Sequence, residues 1–368
     1  MNVKHIFLSI TEKCNLNCVY CFEKSKRSDV MSFETAMMHI DQAINDPNTE
    51  KLTIDFMGGE PFIEFDRIKE ICEAVWSKYS NKNYVFFAAT NGTLVHGEIK
   101  QWLEEHHEQF ICALSIDGIK EAHDINRTKS FDKIDKEFFV KMWPNVRAKT
   151  LCSKESLTYL AESVKYIHNL GFKSIDLKLA YSFDWSDKAE MAELQRQFDL
   201  LIDFYLENPE YKPASLLNID LMELNYPNKP IKKWCTLGSE TLSIDMNGDK
   251  YPCRYFQDLV RANKLTYDEM WKVDYANIHN QLKGKCTKCL VRDVCRTCYA
   301  YNLDSCGDFG VKNNYSCELS RISALSTAKL CIAKLDKKSE LNADDKLIIE
   351  KAQQIINAKN SGNWFIYC

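Results

Sequence analysis

The sequence predicts an α/β protein in which a series of βα units forms an open or closed barrel, followed by a small cysteine-rich segment and C-terminal helices. Three observations carry this. Short β-branched or aromatic runs alternate with longer amphipathic segments through the first half. That pattern breaks after Pro209, where Pro213, Pro227 and Pro230 interrupt any long element. Six cysteines then crowd between Cys235 and Cys298. A chain of 368 residues is long enough for one large α/β domain and a smaller satellite.

Six runs read as strands: His5–Ile10, Leu52–Met57, Tyr84–Thr90, Ile111–Ile116, Val146–Leu151 and Ser174–Leu179. Helical periodicity fills the gaps at Ser32–Asn45, Phe65–Tyr79, Glu98–His107, Lys133–Met142 and Ser156–Leu170, the last followed by Gly171 where a helix C-terminal glycine belongs. Lys188–Leu206 reads as a further helix, with Asp187 and Glu190 spaced as a capping box and Pro209 as its stop. Thr241–Ile244 and Lys250–Cys253 flank Asn247-Gly248, a hairpin signal. After Cys317 the composition again suits two helices, ending in a Trp364–Cys368 tail. In such βα repeats, working residues are expected at the C-terminal ends of the strands.

With net charge −4, the chain lacks the basic balance of a nucleic-acid groove, so no nucleic-acid partner is expected. No run approaches ~20 apolar residues and no signal peptide opens the sequence, so a soluble, cytoplasmic protein without a membrane partner is expected. Sixteen cysteines are too many for a cytosolic chain to ignore and too few for a small disulfide scaffold, which makes metal ligation the leading explanation.

The first constellation is Cys14-x3-Cys18-x2-Cys21-Phe22, in the loop after the first strand. Three thiolates on one loop can hold three irons of a four-iron cluster and leave the fourth open. A structural zinc site wants four ligands, and no fourth Cys or His stands nearby. The second comprises Cys235, Gly248-x4-Cys253, Cys286-x2-Cys289-x5-Cys295-x2-Cys298 and Cys317. A C-x2-C pair on its own is ambiguous between a zinc ribbon and a cluster. Cys72, Cys112, Cys152 and Cys331 fall in apolar runs and read as buried, inert thiols. Cys368 reads as a mobile terminal residue. His106, His107 and His123 read as solvated or capping residues, and Lys334–Lys338 as an exposed helix face.

The cysteine triad resembles the signature of the radical S-adenosylmethionine (SAM) superfamily, and further motifs agree at successive strand ends: Gly58-Gly59-Glu60-Pro61, Thr90-Asn91-Gly92 and Ser115-Ile116-Asp117-Gly118. The resemblance implies a partial (β/α)6 barrel over 1–183, a bridging helix and linker over 184–234, an auxiliary-cluster (SPASM) domain over 235–320 and C-terminal helices over 321–368. It implies that Cys14, Cys18 and Cys21 hold a [4Fe-4S] cluster whose open iron chelates SAM. Phe22 then lies near adenine, and Gly58, Gly59, Glu60, Pro61, Asn91, Ser115, Asp117 and Arg127 contact the cofactor. The glycines are expected to let backbone approach the ligand, and Glu60 to accept from its ammonium group.

The later cysteines resemble a SPASM extension with two auxiliary [4Fe-4S] clusters, one on Cys286, Cys289, Cys295 and Cys317, the other on Cys235, Cys253 and Cys298. Cys306 is the nearest thiol for a fourth ligand, the alternative being an open iron. This chain has Cys295-x2-Cys298 where the usual pattern has C-x3-C.

The resemblance implies a peptide maturase that installs a crosslink or related modification, served by a flavodoxin- or ferredoxin-type electron donor. Anaerobic sulfatase maturation, which makes formylglycine, is the alternative. That class carries an Asp directly after the Gly-x4-Cys cysteine, and this chain has Arg254 there, with Asp258 nearby. An iron–sulfur electron carrier, a redox sensor and a zinc-stabilised binding module are the non-enzyme readings. With the first strand beginning near residue 5, no N-terminal leader-binding domain is expected. Leader recognition is then absent, or supplied by a separate protein or by the last fifty residues.

Overall fold

The computed structural model describes residues 3–23, 26–224 and 235–365. Pro227, Pro230 and Cys368 lie outside the described residues. In chain order the strands are β1 (His5–Thr11), β2 (Leu52–Gly58), β3 (Tyr84–Thr90), β4 (Phe110–Leu114), β5 (Ala148–Cys152), β6 (Ile175–Leu179), β7 (Thr241–Ile244) and β8 (Lys250–Tyr251). The helices are α1 (Phe33–Ile44), α2 (Phe65–Lys78), α3 (Gly97–Glu105), α4 (Lys120–Asn126), α5 (Lys136–Met142), α6 (Leu160–Asn169), α7 (Lys188–Glu207), α8 (Arg254–Arg261), α9 (Tyr267–Trp271), α10 (Tyr299–Cys306), α11 (Asn314–Leu335) and α12 (Ala343–Ser361). All six expected strands and the hairpin form, within two residues of the sequence reading.

The chain divides into two compact units. The first comprises Met1–Lys149, Leu170–Phe172 and Thr236–Ala276; the second comprises Thr150–Asn169, Lys173–Cys235 and Asn277–Cys368.

In the first unit the strand order is β4-β3-β2-β1-β7-β8. Strands β1 to β4 are parallel, so Thr11, Gly58, Thr90 and Leu114 end at one edge. A parallel bridge from Ser115 to Lys149 continues the series. One face of the sheet carries Ile6, Leu8, Ile54, Phe56, Phe86 and Ala88, all essentially buried. Phe56, Phe86 and Phe110 stack there with centroids 5.5–6.2 Å apart, and Trp102 of α3 meets Phe110 edge-on. The hairpin turns at Gly248 as its sequence indicates, but its first strand pairs in parallel with β1, His5 opposite Thr241. Nothing in the local sequence announces that pairing.

β5 and β6 form a two-stranded sheet, and in the second unit α11 packs on α12 over a core of Leu221, Leu290, Leu325, Ile355 and Trp364. Asn313 and Asn342 cap these two helices, the latter in a capping box with Asp345. The capping box expected on α7 does not form. Asp187 accepts from Ala189 N at 2.8 Å, while Glu190 turns to Lys154 at 2.9 Å. The Lys334–Lys338 run straddles the end of α11 instead of lining a helix face. No helix among the described residues is long and apolar enough to cross a membrane.

Phe86→Ala removes one ring of the stack and should cost about 3–5 kcal/mol. The midpoint of urea unfolding would report it.

Candidate functional site

The parallel register brings four loops to one edge of the first unit, and backbone packing locks two of them together. A Cβ on Gly58 would stand 2.1 Å from Thr11 O; one on Gly59 would stand 2.4 Å from Lys13 O and 2.6 Å from Glu12 O. Gly59 N donates to Thr11 O at 3.1 Å and Glu60 N to Lys13 O at 2.9 Å. The absence of a Cβ at these glycines therefore admits the backbone leading into the cysteine loop. Glu60 follows directly and is buried. Its buried carboxylate accepts from Thr90 Oγ1 at 2.7 Å, Asn91 N at 2.7 Å and Phe62 N at 3.3 Å. Burial nevertheless pushes its pKa up to about 7. Glu60 therefore ties the end of β3 to the turn after β2, with Pro61 opening a short 3-10 turn beside it.

Cys14, Cys18 and Cys21 sit half-buried on the loop after β1. Leu16 N donates to Cys14 Sγ at 3.4 Å, and Asn15 joins the loop to Asn91 at 2.9 Å and Thr93 at 2.7 Å. Burial pushes the Cys18 thiol up to about 11, opposed by the Arg127 guanidinium. Arg127 is buried, 3.0 Å from Asp117 Oδ2 and over the Tyr20 ring at 5.4 Å. Asp117 also accepts from Tyr20 Oη at 2.5 Å and Asn126 Nδ2 at 3.1 Å. Ser115 stands half-exposed at the end of β4, donating its backbone N–H to Thr90 O at 2.8 Å. His123, expected in solvent or as a cap, is instead fully buried: Nδ1 accepts from Asp117 N at 3.3 Å and Nε2 meets Ser130 Oγ at 3.0 Å. His106 and His107 bond to carbonyls at the end of α3, as capping residues do.

Arginines grip both flanks of the cysteine loop. Glu12 is buried and bound by Arg27 at 3.1 and 3.3 Å and by Arg261 at 2.6 Å. On the other flank, Glu23 is held by Arg254, which also donates to Asp258 Oδ1 at 3.1 Å. Arg254 is only 8% exposed, whereas Phe22 is 56% exposed with the Arg254 guanidinium 5.9 Å from its ring centroid. Arg254 and Arg261 are the first and last residues of α8, the helix that follows Cys253.

In the second unit Cys286, Cys289, Cys295 and Cys317 line one cavity. Lys312, 6% exposed, donates to Cys295 Sγ at 3.2 Å and to Ser320 Oγ at 2.7 Å inside it. The Cys317 thiol is pulled down by its neighbour Cys286 and by the charge of Lys312. Cys298 opens α10, and Cys235 lies close enough to raise its thiol further after burial has pushed it up. Cys306 closes the same helix eight residues on, about 12 Å along its axis. That separation argues against Cys306 sharing a cluster with Cys298. Cys253 belongs to the first unit. Cys72, Cys112 and Cys152 are buried as expected, and Cys331 is half-buried against the α11–α12 core.

These donor sets fit iron–sulfur clusters. Among the described residues no three His, Cys, Asp or Glu side chains are grouped as ligands of a single metal ion. A four-iron cubane carries each thiolate on a different iron and spaces them more widely than one zinc does.

The radical SAM superfamily model matches residues 8–137. The chain is 30% identical over 266 residues, 70% of its length, to an uncharacterized protein of Methanocaldococcus jannaschii, covering 87% of it. It is 24% identical to the cysteine-type anaerobic sulfatase-maturating enzyme of Clostridium perfringens over 83% of this chain and 90% of that one. Among solved structures, anSMEcpe with bound AdoMet and a peptide aligns at TM-score 0.67 and 21% identity over 97% of this chain and 99% of that one. Streptococcus suis SuiB bound to precursor peptide SuiA aligns at 0.62 and 16% over 86% and 76%. The chain belongs to the radical SAM superfamily and has its partial-barrel α/β fold. It is an enzyme whose cofactors are S-adenosylmethionine and [4Fe-4S] clusters, the cysteine-rich C-terminal part fitting auxiliary ones.

Three polar features escaped the sequence reading. Lys312 has no motif around it. Asp55 interrupts the apolar run of β2, a signal that was available; it is 4% exposed, 3.1 Å from His5 Nε2, and burial pushes its pKa up to about 6. Of the α8 arginines, Arg254 was noted for its place directly after Cys253 but not for its grip on Glu23, and Arg261 was not noted.

Gly59→Ala should dislodge the cysteine loop and remove most of about four irons while sparing the auxiliary iron, as measured by iron analysis with Mössbauer spectroscopy. His123 gives a pH signature. Burial lowers its pKa to about 4, so its contribution to stability is complete above the unfolded value near 6.5 and is lost as pH falls through about 4. His123→Asn should remove an acid-side loss of roughly 3 kcal/mol from the stability–pH curve.

Proposed function

We propose that this enzyme is a peptide maturase. It would abstract hydrogen from a side chain or α carbon of a ribosomally synthesised peptide and install a thioether or carbon–carbon crosslink, or a related modification. The observation that carries this reading over sulfatase maturation is Arg254. The residue directly after Cys253 is a buried guanidinium bound to Glu23 and Asp258, so it cannot take a proton from substrate, and the neighbouring Asp258 is engaged by it.

When bound, S-adenosylmethionine and a reduced cluster supply one-electron chemistry able to open an inert C–H bond. In this reading Cys14, Cys18 and Cys21 hold that cluster, with Arg127 favouring the Cys18 thiolate. Phe22 offers its exposed ring to adenine. Asn91, Ser115 and Asp117 border the cofactor from the ends of β3 and β4. Glu60 and Pro61 keep the turn after β2 in register with the cysteine loop. Cys286, Cys289, Cys295 and Cys317 hold one auxiliary cluster, and Cys235 and Cys298 serve the other. A flavodoxin or ferredoxin would deliver the electrons, and a separate leader-binding protein is compatible with this scheme.

Reconstituted enzyme should carry about twelve irons per chain, and Cys18→Ala should lose about four of them together with all release of 5′-deoxyadenosine. Lys312→Met should lower the midpoint potential of the auxiliary cluster, because a cationic donor to a ligand sulfur stabilises the reduced state, and Lys312→Arg should restore it. Redox titration followed by electron paramagnetic resonance reads both. Co-expression with small open reading frames beside the gene should yield a peptide lighter by two hydrogens, located by tandem mass spectrometry. Conversion of a sulfatase-derived cysteine peptide to formylglycine would instead sink the reading.

A further inference from the structure

The second unit carries a groove of about 900 Å3 between α7 and the α11–α12 pair. Its floor is apolar, built from Trp185, Met191, Ile322, Leu325 and Ile356. Its charged lining is predominantly cationic. Lys188, Lys285, Arg321, Lys329 and Lys359 face it, and Glu318 is the single acidic residue among its described lining. The imbalance stands out in a chain whose net charge is −4.

Internal pairing leaves much of that charge available. Lys329 pairs with Asp199 at 2.9 Å across a partly exposed contact. Arg321 and Lys359 share Glu318 at 3.8 Å each, a length at which ion pairs contribute little. Lys285 is bonded to the neutral Asn314. Lys188 and Lys359 are exposed on opposite walls, one opening α7 and one near the end of α12.

We infer that this groove binds an acidic, amphipathic segment of the substrate peptide, away from the residue that is modified. The inference rests on the peptide-maturase reading and names where that peptide is held. A concave apolar floor rimmed by cations accepts a helix or extended segment that sets apolar side chains inward and carboxylates outward. The occupant is a peptide because the apolar residues lie at the bottom of a concavity, where side chains on a narrow segment reach them. A globular electron carrier would meet the rim alone. Cys317 and Arg321 line both this groove and the four-thiol cavity, so the bound segment runs beside the auxiliary cluster site.

The test uses reconstituted holoenzyme and its Lys188→Glu/Lys359→Glu variant. The probe is a fluorescein-labelled peptide of about 16 Glu, Leu and Ala residues with leucines at helical spacing. One control replaces Glu by Lys and another replaces Leu by Ser. Fluorescence anisotropy should show the acidic amphipathic peptide binding at least about tenfold more tightly than either control, with weaker binding at higher salt and a loss of about tenfold in the variant. Equal binding of the controls, or unchanged affinity in the variant, overturns the inference. So does a flavodoxin whose crosslinking to the groove is lost in the variant while peptide binding persists, since that assigns the groove to the electron donor. Release of 5′-deoxyadenosine without any peptide is measured on the same wild-type samples. Failed radical chemistry with intact peptide binding then counts against the enzyme reading, and the reverse result counts against the groove.

Discussion

The candidate site depends on one steric constraint: the turn after β2 must press against the backbone leading into the cysteine loop. Gly58 and Gly59 allow a contact that any Cβ would block by about an ångström or more against ordinary packing distances, and two backbone hydrogen bonds close it. Once that contact is made, Glu60 falls where its carboxylate gathers donors from the end of β3, and Asn15 and Asn91 complete the brace from the other side. The three thiols are thus held by a frame of main-chain contacts. Few of their constraints come from the cysteines themselves.

A second frame is electrostatic and comes from far along the chain. Glu12 and Glu23 bracket the triad, and each is neutralised by an arginine of α8. A buried carboxylate without a partner would carry a large desolvation penalty, so α8 must dock before Glu23 is stable as an ionised residue, whereas Glu12 also has Arg27 from the loop side. Arg254, directly after Cys253, thus serves as a structural cation.

Much of this was legible in the sequence, and the failures have physical reasons. Strands β1 to β6 announced themselves through periodicity, and the four loop motifs through their order at strand ends. Four of the thiols that resemblance grouped together do line one cavity. What spacing could not disclose was contact. The glycines show in sequence that a close approach is needed, and only the structure adds that the backbone entering the cysteine loop is one partner to it. His123 was read as exposed because a lone histidine carries no periodic signal, yet it is buried between Asp117 and Ser130. Cys306 was considered as a ligand on sequence proximity to Cys298, and only the regular α10 helix shows that eight residues there measure distance along an axis. Lys312 acts through tertiary placement alone.

The pairing of β7 with β1 has a bearing on how the chain is made. Lys4 and Glu240 meet at the start of that pairing although 236 positions separate them. Until the ribosome has delivered β7, the opening strand presents a bare row of amides and carbonyls, the kind of template on which nascent chains stick to one another. Such non-local closure also slows folding. Excising residues 1–183 as a minimal catalytic fragment would therefore leave that row permanently open, and aggregation in place of a working half-enzyme is the natural outcome.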